Sequence, residues 1–221
     1  MGLIIPHVPS SPVADLRRSY TRGGLDEGDL APTWVAQFHR WFTEAVAAGL
    51  TEPNAVVLAT GGPSARTVLL KGYDERGLVV YSNLRSHKAR EIEALPRAGL
   101  CFPWVDLERQ VCVTGAVEHV AAAEADDYFA SRPRGSQLGA WASEQSEVVA
   151  DRSVLERQRT AAQQRFPASA PVPRPPHWGG LRIVPDSVEF WQGRTDRLHD
   201  RLRFRRTTGA PSGWVVERLS P

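Results

Sequence analysis

The chain has 221 residues, 27 basic against 25 acidic side chains, a formal net charge of +2 and 42% hydrophobic residues. That is length for one domain, or one domain with an appendage, and apolar content for a real core. The near balance of charge argues against a nucleic-acid binder working by bulk electrostatics, and no run approaches the roughly 18 apolar residues of a membrane span.

Met1 to Pro12 starts with a short apolar stretch but has no charged n-region, so it does not read as a signal peptide. Cys101 and Cys112 lie in strand-like runs and fit reduced, buried thiols of a cytoplasmic protein in preference to a disulfide. No zinc-ligand pattern is present. Residues 1–31, polar and containing Arg22-Gly23-Gly24-Leu25, predict a loosely held arm. From about Pro32 a helix is expected, with Val35, Phe38, Trp41, Phe42, Ala45 and Val46 at helical spacing and Gly49 as its stop. Short β-rich runs follow at 55–60, 67–70 and 78–81, separated by the hairpin signals Gly61-Gly62-Pro63 and Asp74-Glu75-Arg76-Gly77. A short helix is expected from Ser86 to Leu95, then strands at 99–104 and 110–120. Residues 121–166 read as helical with one interruption at Arg132-Pro133, and Ala140 and Trp141 look buried. Residues 167–177 hold five prolines and predict a linker, after which 181–219 return to strands. The organisation is therefore an arm (1–31), a barrel domain with a helical insertion (32–166), a linker (167–177) and C-terminal strands (178–221). Its class is mainly β with helical additions: an antiparallel barrel, not a parallel βαβ sheet.

Lys71 and Lys88 are the two lysines among 27 basic residues, the rest being arginine. In a chain with the arginine bias of a GC-rich coding sequence, a retained lysine marks a site that resists drift. Lys88 follows Ser86-His87 at a helix start, where free amides attract anions and the macrodipole disfavours a cation. A phosphate between the helix start and Lys88 would resolve that conflict; a solvated surface lysine is the alternative. Arg66 and Lys71 flank the apolar run 67–70. Five residues apart on a regular strand, they would face opposite sides and contact different groups or different parts of one long ligand. Tyr128, Arg132 and Ser136 are spaced by four, although Pro133 breaks any helix that would align them. If 197–204 is extended, Arg197, His199, Arg201 and Arg203 share one face and form an anion-binding surface; an edge strand whose bases discourage edge pairing is the alternative.

Taken together, these segments resemble the pyridoxamine 5′-phosphate oxidase family. The stretches are Arg-Thr-Val-Leu-Leu-Lys (66–71), Val-Tyr-Ser-Asn-Leu-Arg-Ser-His-Lys (80–88), Leu-Glu-Arg-Gln-Val (107–111), Tyr-Phe-Ala-Ser-Arg-Pro-Arg-Gly-Ser-Gln-Leu-Gly-Ala-Trp (128–141), Gln-Ser (145–146), Glu-Phe-Trp-Gln-Gly-Arg (189–194), Arg-Leu-His-Asp-Arg (197–201) and Arg-Leu-Ser-Pro (218–221). They run in the family's order from about Leu16 to the end. The resemblance implies an FMN-binding split β-barrel homodimer with FMN at the subunit interface. The implied reaction oxidises pyridoxamine or pyridoxine 5′-phosphate to pyridoxal 5′-phosphate, with hydride passing from C4′ to flavin N5 and O2 as acceptor giving H2O2. By match, Arg66, Lys88 and Ser146, with Gln145 nearby, hold the FMN phosphate and ribityl chain, and His87 lies in the same set. Tyr81, Ser82, Gln110, Trp191 and Arg201 match the remaining flavin contacts. Lys71, shared with the flavin set, Tyr128, Arg132 and Ser136 match residues that grip the substrate phosphate. Arg197 and His199 match the catalytic pair beside the pyridine ring, and Arg17 to Tyr20 match a segment that closes over the site.

Two departures stand out. His87 occupies a position where the family usually has arginine, and a neutral imidazole cannot grip phosphate as a guanidinium does. A weaker hold on FMN, or a substitute from Arg85, is expected. The Gly61-Gly62-Pro63-Ser64 hairpin is also shorter than usual, with little consequence for chemistry at a barrel rim. Two other readings remain open: a same-fold flavin oxidase acting on another small ring, such as a phenazine precursor, and a non-catalytic flavin- or pyridoxal-phosphate-binding protein.

Overall fold

The computed structural model describes residues 16, 19–62 and 64–221. Its strands are β1 (Ala55–Thr60), β2 (Ser64–Leu69), β3 (Gly72–Asp74), β4 (Gly77–Asn83), β5 (Arg97–Trp104), β6 (Arg109–His119), β7 (Trp178–Gln192), β8 (Asp200–Arg206) and β9 (Trp214–Arg218). All pair antiparallel in one sheet of order β2-β1-β5-β6-β7-β4-β3, with β8 added to β7 and β9 to β8. The sheet curls until β2 approaches β4, which makes a half-barrel.

That curl has a local cause. Strands β6 and β7 are long, and their register shifts between Thr114 and Gly115. A Cβ at Gly115 would overlap the Val184 carbonyl, so the close approach needs glycine. A bulge of this kind bends and twists its strand.

Alternation along the strands separates two faces. Val56, Leu58, Leu100, Phe102, Val188 and Phe190 point inward and are buried. Helix α1 (Trp34–Ala47) covers them, with Phe38 5.1 Å from Phe102 and Trp41 5.3 Å from Phe190, edge to face. Burying each such ring contributes about 1.5–3 kcal/mol. Thr33 Oγ1 accepts from the Ala36 N–H to start the helix, and Gly49, at φ +72°, follows its end. The expected apolar stripe is displaced at one position: Val46 is 54% exposed, and the buried face runs instead through Trp34, Gln37, Phe38, Trp41 and Ala45.

Helix α2 (His87–Ala94) lies against β1. The 121–166 stretch forms α3 (Ala122–Ser131), α4 (Arg134–Ala142) and α5 (Arg152–Arg165), so it breaks twice. The unanticipated break, at 143–151, is polar, and Asp151 accepts from the Ser153 N–H to restart the helix. Gln137 and Leu138 are the buried residues of α4, whereas Ala140 and Trp141 are half-buried, contrary to expectation. Residues 167–177 are firmly attached: Arg134 donates to the carbonyls of Phe166, Pro167 and Ala170, and Trp141 Nε1 to that of Pro173.

The expected loose arm is anchored from Tyr20 onward. The Thr21 and Arg22 N–H groups donate to Glu108, the Leu25 N–H donates to Asp200, and Leu25 is buried. Residues 1–15, Arg17 and Arg18 lie outside the described residues, as does Pro63. No helix among the described residues is long and apolar enough to cross a membrane.

Candidate active site

Arg66 and Lys71 were expected on opposite sides of a strand. Strand β2 ends at Leu69, so the alternation stops before Lys71, and both residues line one cleft of about 660 Å³. The same cleft is lined by Tyr81, Ser82, His87, Lys88, Tyr128, Arg132, Ser136, Gln145 and Ser146. Most residues expected to hold two phosphates are thus neighbours.

At one end of the cleft, Ser86 has the backbone angles of an N-cap for α2, but its hydroxyl does not cap the helix. It accepts instead from Lys88 Nζ at 3.2 Å. The ammonium also donates to Ser82 Oγ at 2.9 Å and to Gln145 Oε1 at 3.3 Å. All three acceptors are neutral, and Lys88 is 8% exposed. Burial, with Arg66 nearby, lowers its pKa from the ordinary lysine value. A buried ammonium without a counter-charge is costly, so this end is built to receive an anion. Ser146, at φ +79°, accepts from the His87 N–H at 3.1 Å, which ties the 143–151 loop over the helix start.

Arg66 is already engaged. It donates to Thr60 Oγ1 at 2.7 Å and forms an ion pair with Glu91 at 3.2 Å. Glu91 also accepts from Ser64 and Thr60 and lies 3.5 Å from His87 Nε2. Those hydrogen bonds, from Ser64 first and Thr60 next, lower the pKa of its carboxyl to about 2. Arg85 does not line this cleft; it faces a neighbouring one with Arg90, Trp141 and Glu147, so the expected substitute for the missing arginine is absent here.

At the other end, Tyr81, Tyr128 and Trp178 form a near-parallel stack, with ring centres 4.1 Å apart for the tyrosines and 5.2 Å for Tyr81 and Trp178. The Arg132 guanidinium lies 4.7 Å from the Trp178 ring centre. Its Nη1 is buried without a hydrogen-bond partner, and burial lowers its pKa. Pro133 separates α3 from α4, as expected, yet Tyr128, Arg132 and Ser136 still converge. The connection between the helices turns the chain, replacing the continuous helical face.

The remaining expected residues gather elsewhere. A second cleft, about 680 Å³, is lined by Leu16, Ser19, Tyr20, Trp191, Arg194, Asp196, Arg197 and His199. Arg197 and His199 were read as part of an extended face with Arg201 and Arg203, but β8 begins only at Asp200. Asp196 and Arg197 have φ of +55° and +61° in a tight turn. Left-handed geometry at a side chain costs of order 1–3 kcal/mol and occurs where the surroundings impose it. The Arg194 N–H donates to His199 Nδ1 at 3.1 Å, so the neutral imidazole carries its proton on Nε2. Tyr20 and Trp191 pack around that ring at 5.7 and 4.7 Å.

Gln110, Trp191 and Arg201 occupy one row across β6, β7 and β8. Arg201 is held by Glu189 through two hydrogen bonds of 2.7 and 3.0 Å, which raise its pKa. The two clefts lie near opposite ends of β7, at Trp178 and Trp191. Thirteen residues of extended strand correspond to about 40 Å along the chain. Glu91 and Trp178 escaped the sequence reading. The His87–Glu91 spacing of four was an available signal for the first; nothing distinguished the second among seven tryptophans.

A curled antiparallel sheet carrying a cleft lined by buried Lys88 and half-buried Arg132 defines the class: a split-barrel protein with a cationic cleft. The family model described as "Pyridoxamine 5′-phosphate oxidase" matches residues 42–166, and one described as "Pyridoxine 5′-phosphate oxidase C-terminal dimerisation region" matches residues 178–221. The chain is 59% identical over 215 residues to the pyridoxine/pyridoxamine 5′-phosphate oxidase of Salinispora arenicola, covering 95% of this chain and 96% of that one. It is 56% identical over 213 residues to the protein so named in Burkholderia multivorans, covering 95% and 99%. Among solved structures, PhzG from Burkholderia lata 383 in complex with tetrahydrophenazine-1-carboxylic acid matches with a TM-score of 0.80 at 28% identity, over 88% of this chain and 95% of that one. An FMN-binding, pyridoxamine 5′-phosphate oxidase-related protein from Nostoc punctiforme shares the fold, with a TM-score of 0.65 at 20% identity over 87% and 99%. The chain belongs to the pyridoxamine 5′-phosphate oxidase family, a family of oxidases.

Proposed function

We propose that this chain is an FMN-dependent oxidase that converts pyridoxamine and pyridoxine 5′-phosphate to pyridoxal 5′-phosphate, working as a homodimer with FMN at the subunit interface. The observation that carries the reading is a pair of cations without counter-charge in one cleft: Lys88, buried and bonded to neutral oxygens alone, and Arg132, half-buried with its Nη1 unpartnered. Two separate phosphates suit them, one from the cofactor and one from the substrate. Lys88, Ser82, Gln145 and Ser146, with Arg66 and His87, would hold the FMN phosphate and ribityl chain. Lys71, Tyr128, Arg132 and Ser136 would hold the substrate phosphate.

FMN, when bound, supplies the redox chemistry, taking hydride from substrate C4′ at N5 and passing both electrons to O2 to give H2O2. The protein contributes position and charge. Arg197 flanks the substrate ring, His199 orients the substrate or exchanges a proton with it through Nε2, and Gln110, Trp191 and Arg201 complete the flavin contacts. Tyr20 belongs to a segment that would close over the second cleft and exclude water; Arg17, matched to the same role, lies outside the described residues. Because the two clefts lie near opposite ends of β7, a complete site takes its phosphate cage from one protomer and its Arg197–His199 turn from the partner. The family match to a C-terminal dimerisation region supports that division.

The likeness to PhzG supports a second reading, oxidation of a phenazine precursor. Such a carboxylated ring makes no use of a second phosphate cage, so Lys71, Tyr128, Arg132 and Ser136 favour the phosphorylated substrate. The discriminating experiment is FMN uptake followed by anaerobic addition of each substrate. Bleaching of the flavin absorbance by pyridoxamine 5′-phosphate supports the proposal. A protein that takes up no FMN, or a flavin bleached by the phenazine precursor alone, refutes it.

A further inference from the structure

The outer face of the sheet carries a thiol pair that the reaction does not use. Cys101 on β5 and Cys112 on β6 are directly opposite in register, and both are free and half-exposed. Side chains at directly opposed positions of an antiparallel pair point to the same face, with Cα atoms about 4.5–5.5 Å apart. That range falls inside the Cα separation a disulfide spans. The pair therefore needs no strand movement to close.

Its position is as pointed as its geometry. The register continues from Cys101 to Val57 on β1 and Thr67 on β2, and Thr67 lines the first cleft. Two strand spacings place the cysteines about 10 Å from that cleft. In the other direction, Gln110 Nε2 donates to Cys112 Sγ at 3.2 Å, and Gln110 is one of the proposed flavin contacts. The pair thus lies between the first cleft and one of the proposed flavin contacts.

We propose that Cys101 and Cys112 are a peroxide-reactive dithiol that closes to an intrachain cross-strand disulfide. The proposal rests on the oxidase reading only for the natural source of its oxidant. The Cys101 sulfur attacks one peroxide oxygen, forming an S–O bond as the O–O bond breaks, and the departing oxygen leaves as water. The Cys112 sulfur then attacks Cys101, forming the S–S bond as the S–O bond breaks; the second oxygen leaves as water, taking the Cys112 proton. Two thiols and one peroxide give one disulfide and two waters. The same balance holds with the two sulfurs exchanged, so the product and its stoichiometry do not depend on which thiol attacks the peroxide first.

The chain has just two cysteines, so thiol titration reads the reaction directly. Hydrogen peroxide is added to purified, FMN-loaded protein at neutral pH without substrate. Expected are loss of both titratable thiols, a mass lower by two hydrogens on the monomeric chain, and full recovery with dithiothreitol. In Cys112→Ser the reaction stops at a sulfenic acid that dimedone traps. In Cys101→Ser the remaining thiol likewise has no intrachain partner and stops at the sulfenic acid. Two thiols that survive peroxide, or an interchain disulfide in place of the intrachain one, overturn the proposal. Since the peroxide is added, none of these results depends on whether the chain oxidises pyridoxamine phosphate, which the bleaching experiment decides separately.

Discussion

Lys88 sits where burial and charge conflict, and a bound phosphate is what reconciles them. Its ammonium is held by Ser82, Ser86 and Gln145 in a pocket with room for a point charge. Lys88→Met should weaken FMN binding by about 10–100-fold, the loss of one charge-assisted contact, as read by quenching of flavin fluorescence. Lys88→Arg should also weaken it, because a planar fork does not fit where a compact ammonium does. The depressed pKa adds a pH signature. The charged form is lost as pH rises, so FMN affinity should fall on the alkaline side earlier than an ordinary lysine would dictate, and Lys88→Met should abolish that limb. Arg197 has a different job. Arg197→Ala should lower kcat by roughly 100-fold or more through lost positioning while leaving FMN content unchanged; equal loss of both would contradict its role at the substrate. The two lysines were legible in the sequence because composition made them conspicuous. Glu91 was not, since its hydrogen bonds to Thr60 and Ser64 join α2 to the β1–β2 hairpin across the fold.

Strands β6 and β7 set the distance between the clefts, and the bulge at Gly115 lets them bend together. Gly115→Ala forces a methyl against the Val184 carbonyl. We expect destabilisation of about 1–3 kcal/mol, a melting temperature lower by several degrees at this chain length, and weaker FMN retention as the curl relaxes. An unchanged melting temperature would mean that the bulge tolerates a side chain. At this scale the hydrophobic pattern disclosed most strands and α1, because burial on one face imposes its period on the residues. Where the chain leaves regular structure the pattern misled. Alternation was extended through Lys71 and from Arg197 to Arg203, yet β2 ends at Leu69 and β8 starts at Asp200. Both candidate-site stretches lie just outside strands, where φ and ψ are set by tertiary contacts.

The separation of the two clefts belongs to the whole molecule, and a single chain gives it no resolution. One cleft holds the cations that seek phosphates; the other holds Arg197, His199 and the anchored arm. In the proposed two-fold dimer, each cleft of one protomer would meet the other cleft of its partner. The sequence resemblance implies an interface site but not which residues would act across it; the length of β7 between the two clefts supports the proposed division. Mixing two inactive variants tests this most directly. At an FMN concentration that loads the wild type but not Lys88→Met, that variant is disabled at the first cleft, and Arg197→Ala is disabled at the second. After unfolding and refolding together in equal amounts, half of the dimers are mixed, and each mixed dimer has one intact site. The account predicts recovery of about one quarter of wild-type pyridoxamine 5′-phosphate oxidation. No recovery, with mixed dimers demonstrably formed, would contradict it and place both clefts of a working site on the same chain.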